Sequence, residues 1–358
     1  MIVCTSMCSN YLPKAMVLAK SLKESNPEVK MLVCLLEREI PQIATDFQYF
    51  DFVVLAKDLG FENFDKFIFK HSIVEAATSI KGQLFVYMLN HFLDEEKFVY
   101  LDPDIKVTGE LKELEEALVK KEIVLTPHLC HPEDHIDAVM DNELCALQHG
   151  VFNLGFLGLK KGNESLKFAN WWASRLNMFC YDDIPRGIFT DQKWIDLAPC
   201  FFDLFILKHS GYNAAPWNMS KRKIKIDEEG KYYANNEPLR FFHFSGFDSG
   251  ANEGMINKYV PDKKNAVYTL RDKYVNELIN YGQDSIGRTP WSYDYYTSGD
   301  KIDRESRITF RDHLELQYKY DNPFELSNEE MQGNYQVKAK KINSDVRELL
   351  RKIKNKLG

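Results

Sequence analysis

The sequence predicts an α/β fold, a mixed and mostly parallel sheet flanked by helices, with a helical C-terminal extension. Three observations carry this. Short apolar runs alternate with helical patterns through the first half of the chain, which is how strands joined by crossover helices read. Of the 358 residues, 44% are hydrophobic and 28% charged, the balance of a packed soluble chain and not of a disordered one. The length suits one large or two smaller domains. Expected boundaries are a main domain at 1–250, an extension of helix and loop at 251–337, and a basic amphipathic helix at 338–358.

The elements follow in order. Ile2 to Thr5 is an apolar run and reads as the first strand. Tyr11 to Ser25 places Leu12, Ala15, Leu18, Ala19 and Leu22 on one helical face. Met31 to Leu36 and Phe52 to Leu55 are further strands. His71 to Phe92 carries one long helical pattern, and Phe98 to Leu101 is again a strand. Val151 to Leu159 and Leu239 to Phe244 are apolar stretches with strand character, and Asn163 to Asn177 is a helix in which Trp171 and Trp172 face the core. Adjacent helix positions point ~100° apart, so only one of those indoles need be fully buried. Ser292 to Asp300 breaks periodicity and reads as a loop.

Composition excludes several classes. Lys and Arg number 46 against 53 Asp and Glu, a formal charge of −7, which disfavours a nucleic-acid binder. No run approaches the ~18 apolar residues of a membrane span. The opening MIVCTSMCSNYLPK lacks the basic and apolar regions of a signal peptide, so a cytoplasmic location is expected. Seven scattered cysteines without a C-x-x-C pattern read as reduced, buried thiols.

Chemistry concentrates where parallel strands end. In Phe98-Val99-Tyr100-Leu101-Asp102-Pro103-Asp104, two carboxylates sit two residues apart after a strand. Residues i and i+2 of an extended chain face the same way, so both reach one hard divalent cation that offsets their repulsion. The alternative is a solvated turn. Phe241-Phe242-His243-Phe244-Ser245-Gly246 ends a strand in an imidazole and a small-residue turn. His243 is read either as a third metal ligand or as a core histidine, with Ser245 and Gly246 offering N–H groups to a phosphate. Thr190-Asp191-Gln192 is either a helix cap or a pair that holds sugar hydroxyls or faces a reacting carbon. Pro127 to His135 is rich in ligand residue types but lacks a tetrahedral zinc pattern. It reads as a loop on the ligand side of the sheet, with His128 and His131 as binding candidates and Trp217 and Asn218 as two more from a second loop; under the resemblance given next, these four become acceptor-side candidates.

These segments resemble the metal-dependent GT-A glycosyltransferases, within them the retaining family 8-like group that includes glycogenin and the bacterial lipopolysaccharide galactosyltransferases. Thr5 to Leu22 is similar to that family's first strand and helix, Leu101 to Asp104 to its D-x-D, and Phe152 to Phe156 to its Asn-x-Gly strand. Asp191-Gln192 is similar to its Asp-Gln pair and His243 to Gly246 to its His-x-x-Gly segment. The patches fall in the family's order over about residues 1–250. Asp191 to Pro199, Trp217-Asn218 and Pro290 to Asp294 add a likeness to a bacterial surface-glycan subgroup. The resemblance implies a Rossmann-like sheet that binds a nucleotide sugar, and transfer of a hexose, read as UDP-linked, to a glycan or lipid-linked acceptor with retention.

It implies Mn²⁺ or Mg²⁺ on Asp102, Asp104 and His243, and a nucleotide side formed by Thr5, Ser6, Asn10, Tyr11, Lys81, Asp102, Ser245 and Gly246. Asn153, Gly155, Asp191 and Gln192 would hold the donor sugar, the last two also being catalytic candidates. One departure stands out: the family's Lys-Pro-Trp after the His-x-x-Gly segment is replaced by Phe247-Asp248-Ser249. Lys81 is then read either as meeting the pyrophosphate instead or as a plain solvated lysine.

Two other classes compete. A sugar nucleotidyltransferase would carry a Gly-rich basic loop after the first strand, where this chain has Cys4 to Asn10 without Gly or Arg. A non-catalytic nucleotide or glycan binder gains little from a buried acidic pair. At the C-terminus, Lys338 to Gly358 holds eight Lys and Arg residues. Ile342, Val346, Leu349, Leu350, Ile353 and Leu357 form one helical stripe that suits either an anionic membrane surface or docking on the catalytic domain.

Overall fold

A computed structural model describes residues 1–333; the basic helix expected at 338–358 lies outside them. The strands are β1 (Ile2–Met7), β2 (Lys30–Leu35), β3 (Phe52–Leu55), β4 (Lys97–Leu101), β5 (Ile105–Val107), β6 (Ile123–Pro127), β7 (Phe152–Lys160), β8 (Phe205–Ile206) and β9 (Phe241–His243), with shorter pairs elsewhere. Seven of these form the central sheet in the order β8-β6-β7-β4-β1-β2-β3. β1 pairs in parallel with β2 and β4, β2 with β3, and β8 with β6, whereas β7 runs antiparallel to both neighbours. The sheet is therefore mixed, as expected. Every residue of β1 is buried, which is why its pattern is a continuous apolar run and not an alternation.

Helix α1 (Leu12–Ser25) follows β1, with Pro13 in its first turn, where a missing N–H costs nothing. The apolar face read from the sequence is buried: Leu12, Ala15, Leu18, Ala19 and Leu22 pack with Val3, Val33, Val99 and Phe241 in the main core. The long helix expected over His71 to Phe92 is instead two, α2 (Ile73–Ser79) and α3 (Lys81–His91). Thr78 Oγ1 donates to the carbonyls of Val74 and Glu75, and Ser79 Oγ to that of Ala76. Such back-bonding bends helices, and the interruption falls at Ile80. The remaining helices of note are α4 (Lys112–Lys120), α5 (Asn163–Phe179), α6 (Ala251–Tyr259) and α7 (Ala266–Asn280). On α5, Trp172 is fully buried and Trp171 half-buried.

β5 and β9 form a separate antiparallel ribbon with His243 opposite Ile105. Its Phe242 and the following Phe244 enter a second core with Val267, Leu270 and Tyr274 of α7. Phe244 stacks flat on Tyr274, with ring centroids 3.9 Å apart. All seven cysteines are free; Cys4, Cys8, Cys34 and Cys180 are buried as expected, but Cys145 and Cys200 are exposed.

Contacts divide the chain into two compact units. The larger comprises Met1–Phe61 and Val74–Trp291, the smaller Glu62–Ile73 and Ser292–Gly358, described as far as residue 333. In the smaller unit Phe69 packs edge-on against Phe310 and Phe324. There Arg307 donates to the carbonyls of Phe69, His71 and Tyr293. Among the described residues no helix is long and apolar enough to cross a membrane.

Candidate active site

β4 ends at Leu101 and the chain turns through Asp102-Pro103-Asp104 into β5. Pairing of β5 with β9 brings His243 to the same place from a point far along the chain. His243 Nε2 lies 3.0 Å from Asp104 Oδ1 and 3.6 Å from Asp102 Oδ2. One ligand atom from each of these residues falls within 4.8 Å of the others. Burial alone would push the imidazole down, but Asp104 and Asp102 outweigh it and hold His243 above its ordinary value. Burial likewise pushes Asp104 up, and the His243 ring overrides it and holds the carboxyl low.

The other ring nitrogen is 3.3 Å from Asn213 Oδ1. An N–H at Nδ1 donating there leaves the Nε2 lone pair facing the carboxylates, the usual support of a metal-binding imidazole. Asn213 holds φ at +54°, a region that asparagine tolerates better than most residues. Gly155 lines the site opposite. A Cβ there would lie 2.5 Å from His243 Cε1 and 2.8 Å from Asp102 Oδ2, so only glycine leaves these two side chains room. Two carboxylates and an oriented imidazole are a donor set that suits Mn²⁺ and similar ions, and the fit to a divalent cation is good.

A cleft of about 300 Å³ opens beside these ligands. Lys81, the first residue of α3, projects into its floor. Its Nζ is 3.1 Å from Asp102 Oδ1, 3.0 Å from Asp191 Oδ2 and 2.9 Å from the Leu154 carbonyl oxygen. It also lies 4.4 Å from the centre of the Tyr100 ring. Burial disfavours the ammonium, yet Asp102 and Asp191 more than offset that and raise its pKa. Lys81 is thus the cation between the two acidic segments and not a solvated lysine.

Burial pushes Asp191 up, against the opposing pull of Lys81. Thr190, just before it, sits at φ +43°, a strain of about 1–3 kcal/mol for a β-branched residue. The Thr190 hydroxyl donates to Asp191 Oδ1 and the Trp172 indole to the Asp191 carbonyl. Gln192 accepts from Leu154 N–H and donates to the His149 carbonyl. Asn153 Oδ1 accepts from Gly155 N–H, and its Nδ2 is 3.0 Å from His128 Nε2.

Asn153, Gly155, Asp191, Gln192, Ser245, Asp102 and His243 therefore line one cleft, and Asp104 joins them through its contact with the His243 ring. His128 and Trp217 line it too, the indole edge-on to His243 with ring centroids 5.3 Å apart. Burial pushes His128 down to about 3. His131 is exposed and not part of the cleft lining, and neither is Asn218. The Asn218 amide donates to the carbonyls of His128 and Asn213, bracing the loop that orients His243.

Among the residues expected to meet a nucleotide, Thr5 Oγ1 and Asn10 Oδ1 are buried without a protein partner, as polar atoms that await a ligand would be. Ser6 instead bonds to the Ala77 carbonyl and the Tyr100 hydroxyl. Gly246, at φ +72°, packs against Ala251 and Asn252, so that a Cβ would come within 3.2 Å of the Ala251 methyl. Sequence reasoning missed Asn213 and Lys14, and named Thr190 only as the residue before the Asp191-Gln192 pair. Asn213 shows itself through its backbone conformation and its contact with His243.

The model of glycosyl transferase family 8 matches residues 2–213. An uncharacterized protein of Bacillus subtilis (strain 168), YfnD, is 25% identical over 178 residues, 48% of this chain and 54% of its own length. The chain thus spans about half the length of that curated relative. Among solved structures, the galactosyltransferase LgtC in complex with donor and acceptor sugar analogues shares 17% identity at a TM-score of 0.40, covering 69% of this chain and 87% of its own. GlyE of Streptococcus pneumoniae TIGR4 shares 17% at 0.42, covering 81% and 65%. Mouse xyloside xylosyltransferase 1 shares 13% at 0.41, covering 68% and 97%. With its family model matched over more than half of the 358 residues, and the D-x-D of that match set in a cluster that could hold a metal ion, this chain belongs to glycosyl transferase family 8.

Proposed function

We propose that the protein is a glycosyltransferase that moves a hexose from a nucleotide sugar, read as UDP-linked, to a glycan or lipid-linked acceptor. The transfer depends on Mn²⁺ or Mg²⁺ and retains anomeric configuration, and it serves polysaccharide assembly. The observation that carries this reading is the convergence of Asp102, Asp104 and His243, ligand atoms within 4.8 Å, on a cleft that also presents Asn153, Asp191 and Gln192. A divalent cation held there supplies positive charge to a departing diphosphate, so that no general acid is needed.

The chain's own residues do the rest. Tyr11 offers its ring to the base, with Thr5 and Asn10 beside it as polar partners. Lys81 pairs with one oxygen of Asp102 and leaves the other turned to His243; reaching a pyrophosphate would require it to give up one of its carboxylates. Asn153, Gly155, Asp191 and Gln192 hold the donor sugar, and His128 and Trp217 form the acceptor side. Retention is supported by the carboxylates themselves. Among the described residues that line the cleft these are Asp102 and Asp191, both paired with Lys81. An inverting reaction needs an unpaired carboxylate base behind the sugar.

The test is a panel of nucleotide sugars with Mn²⁺, followed by proton NMR of the sugar first released or transferred. Turnover of a UDP-hexose with the donor's anomeric configuration is expected. Inversion contradicts the stereochemical part, and no turnover of any donor overturns the reading. We place the enzyme in the cytoplasm, with residues 338–358 and their eight basic side chains resting on an anionic membrane leaflet. Failure of the full chain to sediment with anionic vesicles at low salt rejects that contact.

A further inference from the structure

Helix α1 carries a lysine on its inward face. The side chain of Lys14 is 1% exposed, and a buried ammonium is costly unless an anion accompanies it. That anion is Asp248, whose carboxylate meets the ammonium directly. The aromatic walls are Tyr11, with its ring centre 3.7 Å from Nζ, and Phe247, 6.0 Å away.

The pair is asymmetric. Lys14 is enclosed, whereas the Asp248 side chain is 46% exposed. Asp248 belongs to a short segment between Gly246 and Gly250, at φ +72° and +78°. A half-solvated carboxylate can turn to water at little cost, but the ammonium cannot follow it. Once Asp248 leaves, the enclosed charge requires another anion.

The surroundings indicate which anion. Asp248 lies on the short segment that leaves the cleft-lining His243 and Ser245, and the Tyr11 ring against Lys14 has its phenol pushed up by burial and then by Asp104, Asp248 and Asp102. Asp104 in turn feels Lys14 after His243. An anion that spans from the cluster of Asp102, Asp104 and His243 to Lys14 must carry charge at two linked centres. A diphosphate has that form.

We propose that Lys14 binds the diphosphate of the donor and that Asp248 is its placeholder. The carboxylate pairs with the ammonium in the empty site and is displaced by a phosphoryl oxygen when the nucleotide arrives. No covalent bond changes; one ion pair replaces another. This rests on the proposed function and adds to it a binding residue and an exchange.

The two partners should then respond oppositely, which a purely structural ion pair would not do. UDP, uridine and the base-free probe methylenediphosphonate would be titrated by calorimetry, with Mn²⁺, into the full-length protein and its Lys14→Met, Lys14→Arg and Asp248→Asn variants. Lys14→Met is expected to weaken both diphosphates by about tenfold or more while uridine binds as in the wild type, and Lys14→Arg to restore most of the loss. Asp248→Asn should tighten both diphosphates by about threefold, since it removes a competing anion. An unchanged ratio of UDP to uridine affinity in the variants, or weaker UDP binding by Asp248→Asn, overturns the proposal. If Lys14→Met does not fold, Lys14→Arg and Asp248→Asn decide by the same criteria. Absence of diphosphate binding by the wild type would instead overturn the proposed function itself.

Discussion

His243 illustrates how a candidate ligand is oriented by residues outside the candidate set. Its Nε2 faces two carboxylates because Nδ1 is held by Asn213, and Asn213 is held in turn by Asn218 through its backbone carbonyl. Second partners of this kind are worth about 10–100-fold in metal affinity. Asn213→Gly keeps the positive φ available and removes the side chain with the oxygen that faces Nδ1. It should lower Mn²⁺ affinity by about tenfold, measured by calorimetry, with a melting temperature within a few degrees of wild type. The three candidate ligands were legible in the sequence, because a carboxylate pair after a strand and a histidine ending another are local patterns. Asn213 was not legible, since its importance lies in a positive φ and in a contact formed across thirty residues.

At the scale of elements, α3 and α5 approach closely at Gly82. A Cβ there would lie 2.5 Å from Ala173 N, and that atom is backbone, so one helix must move. Alanine is the better helix former by about 1 kcal/mol, but overpacking costs about 1–3 kcal/mol, and the clash decides the sign. Gly82→Ala should lower the melting temperature. It should also reduce turnover, because the neighbouring Lys81 bridges Asp102 and Asp191.

A second element contact anchors the ribbon that carries His243. Arg240, just before β9, forms a bidentate pair with Glu113 of α4 at 2.9 and 2.6 Å. Burial pushes Glu113 up, but Arg240 outweighs it and holds the carboxyl below the usual glutamate value. A depressed folded-state pKa gives stability that is present above the unfolded value, about 4.3 for glutamate, and is lost as pH falls through the lower folded value. Arg240→Ala should therefore lower the urea midpoint at neutral pH and shrink the difference from wild type as the pH approaches 3. The long helix pattern over 71–92 hid the break at Ile80, because hydroxyl back-bonding by Thr78 and Ser79 does not disturb apolar spacing.

At the scale of the whole molecule, the sheet was readable because its strands are buried on both faces and stand as unbroken apolar runs. The antiparallel insertion of β7 between β4 and β6 was not readable, since pairing direction leaves no mark on composition. Nor was the smaller unit, assembled from residues 62–73 and from those after 291; contacts so far apart in the chain have no local signature. The helices at 251–259 and 266–280, expected in a C-terminal extension, belong by their contacts to the larger unit. What unites these elements is one claim, that β4, β5 and β9 converge to hold a divalent cation for a nucleotide diphosphate. Calorimetric titration of UDP in the presence of Mn²⁺ and then of a chelator, with wild type and Asp104→Asn, tests it most directly. The account predicts tight binding by wild type with Mn²⁺ and a loss of about a hundredfold or more on chelation or substitution; UDP affinity unaffected by either change would contradict it.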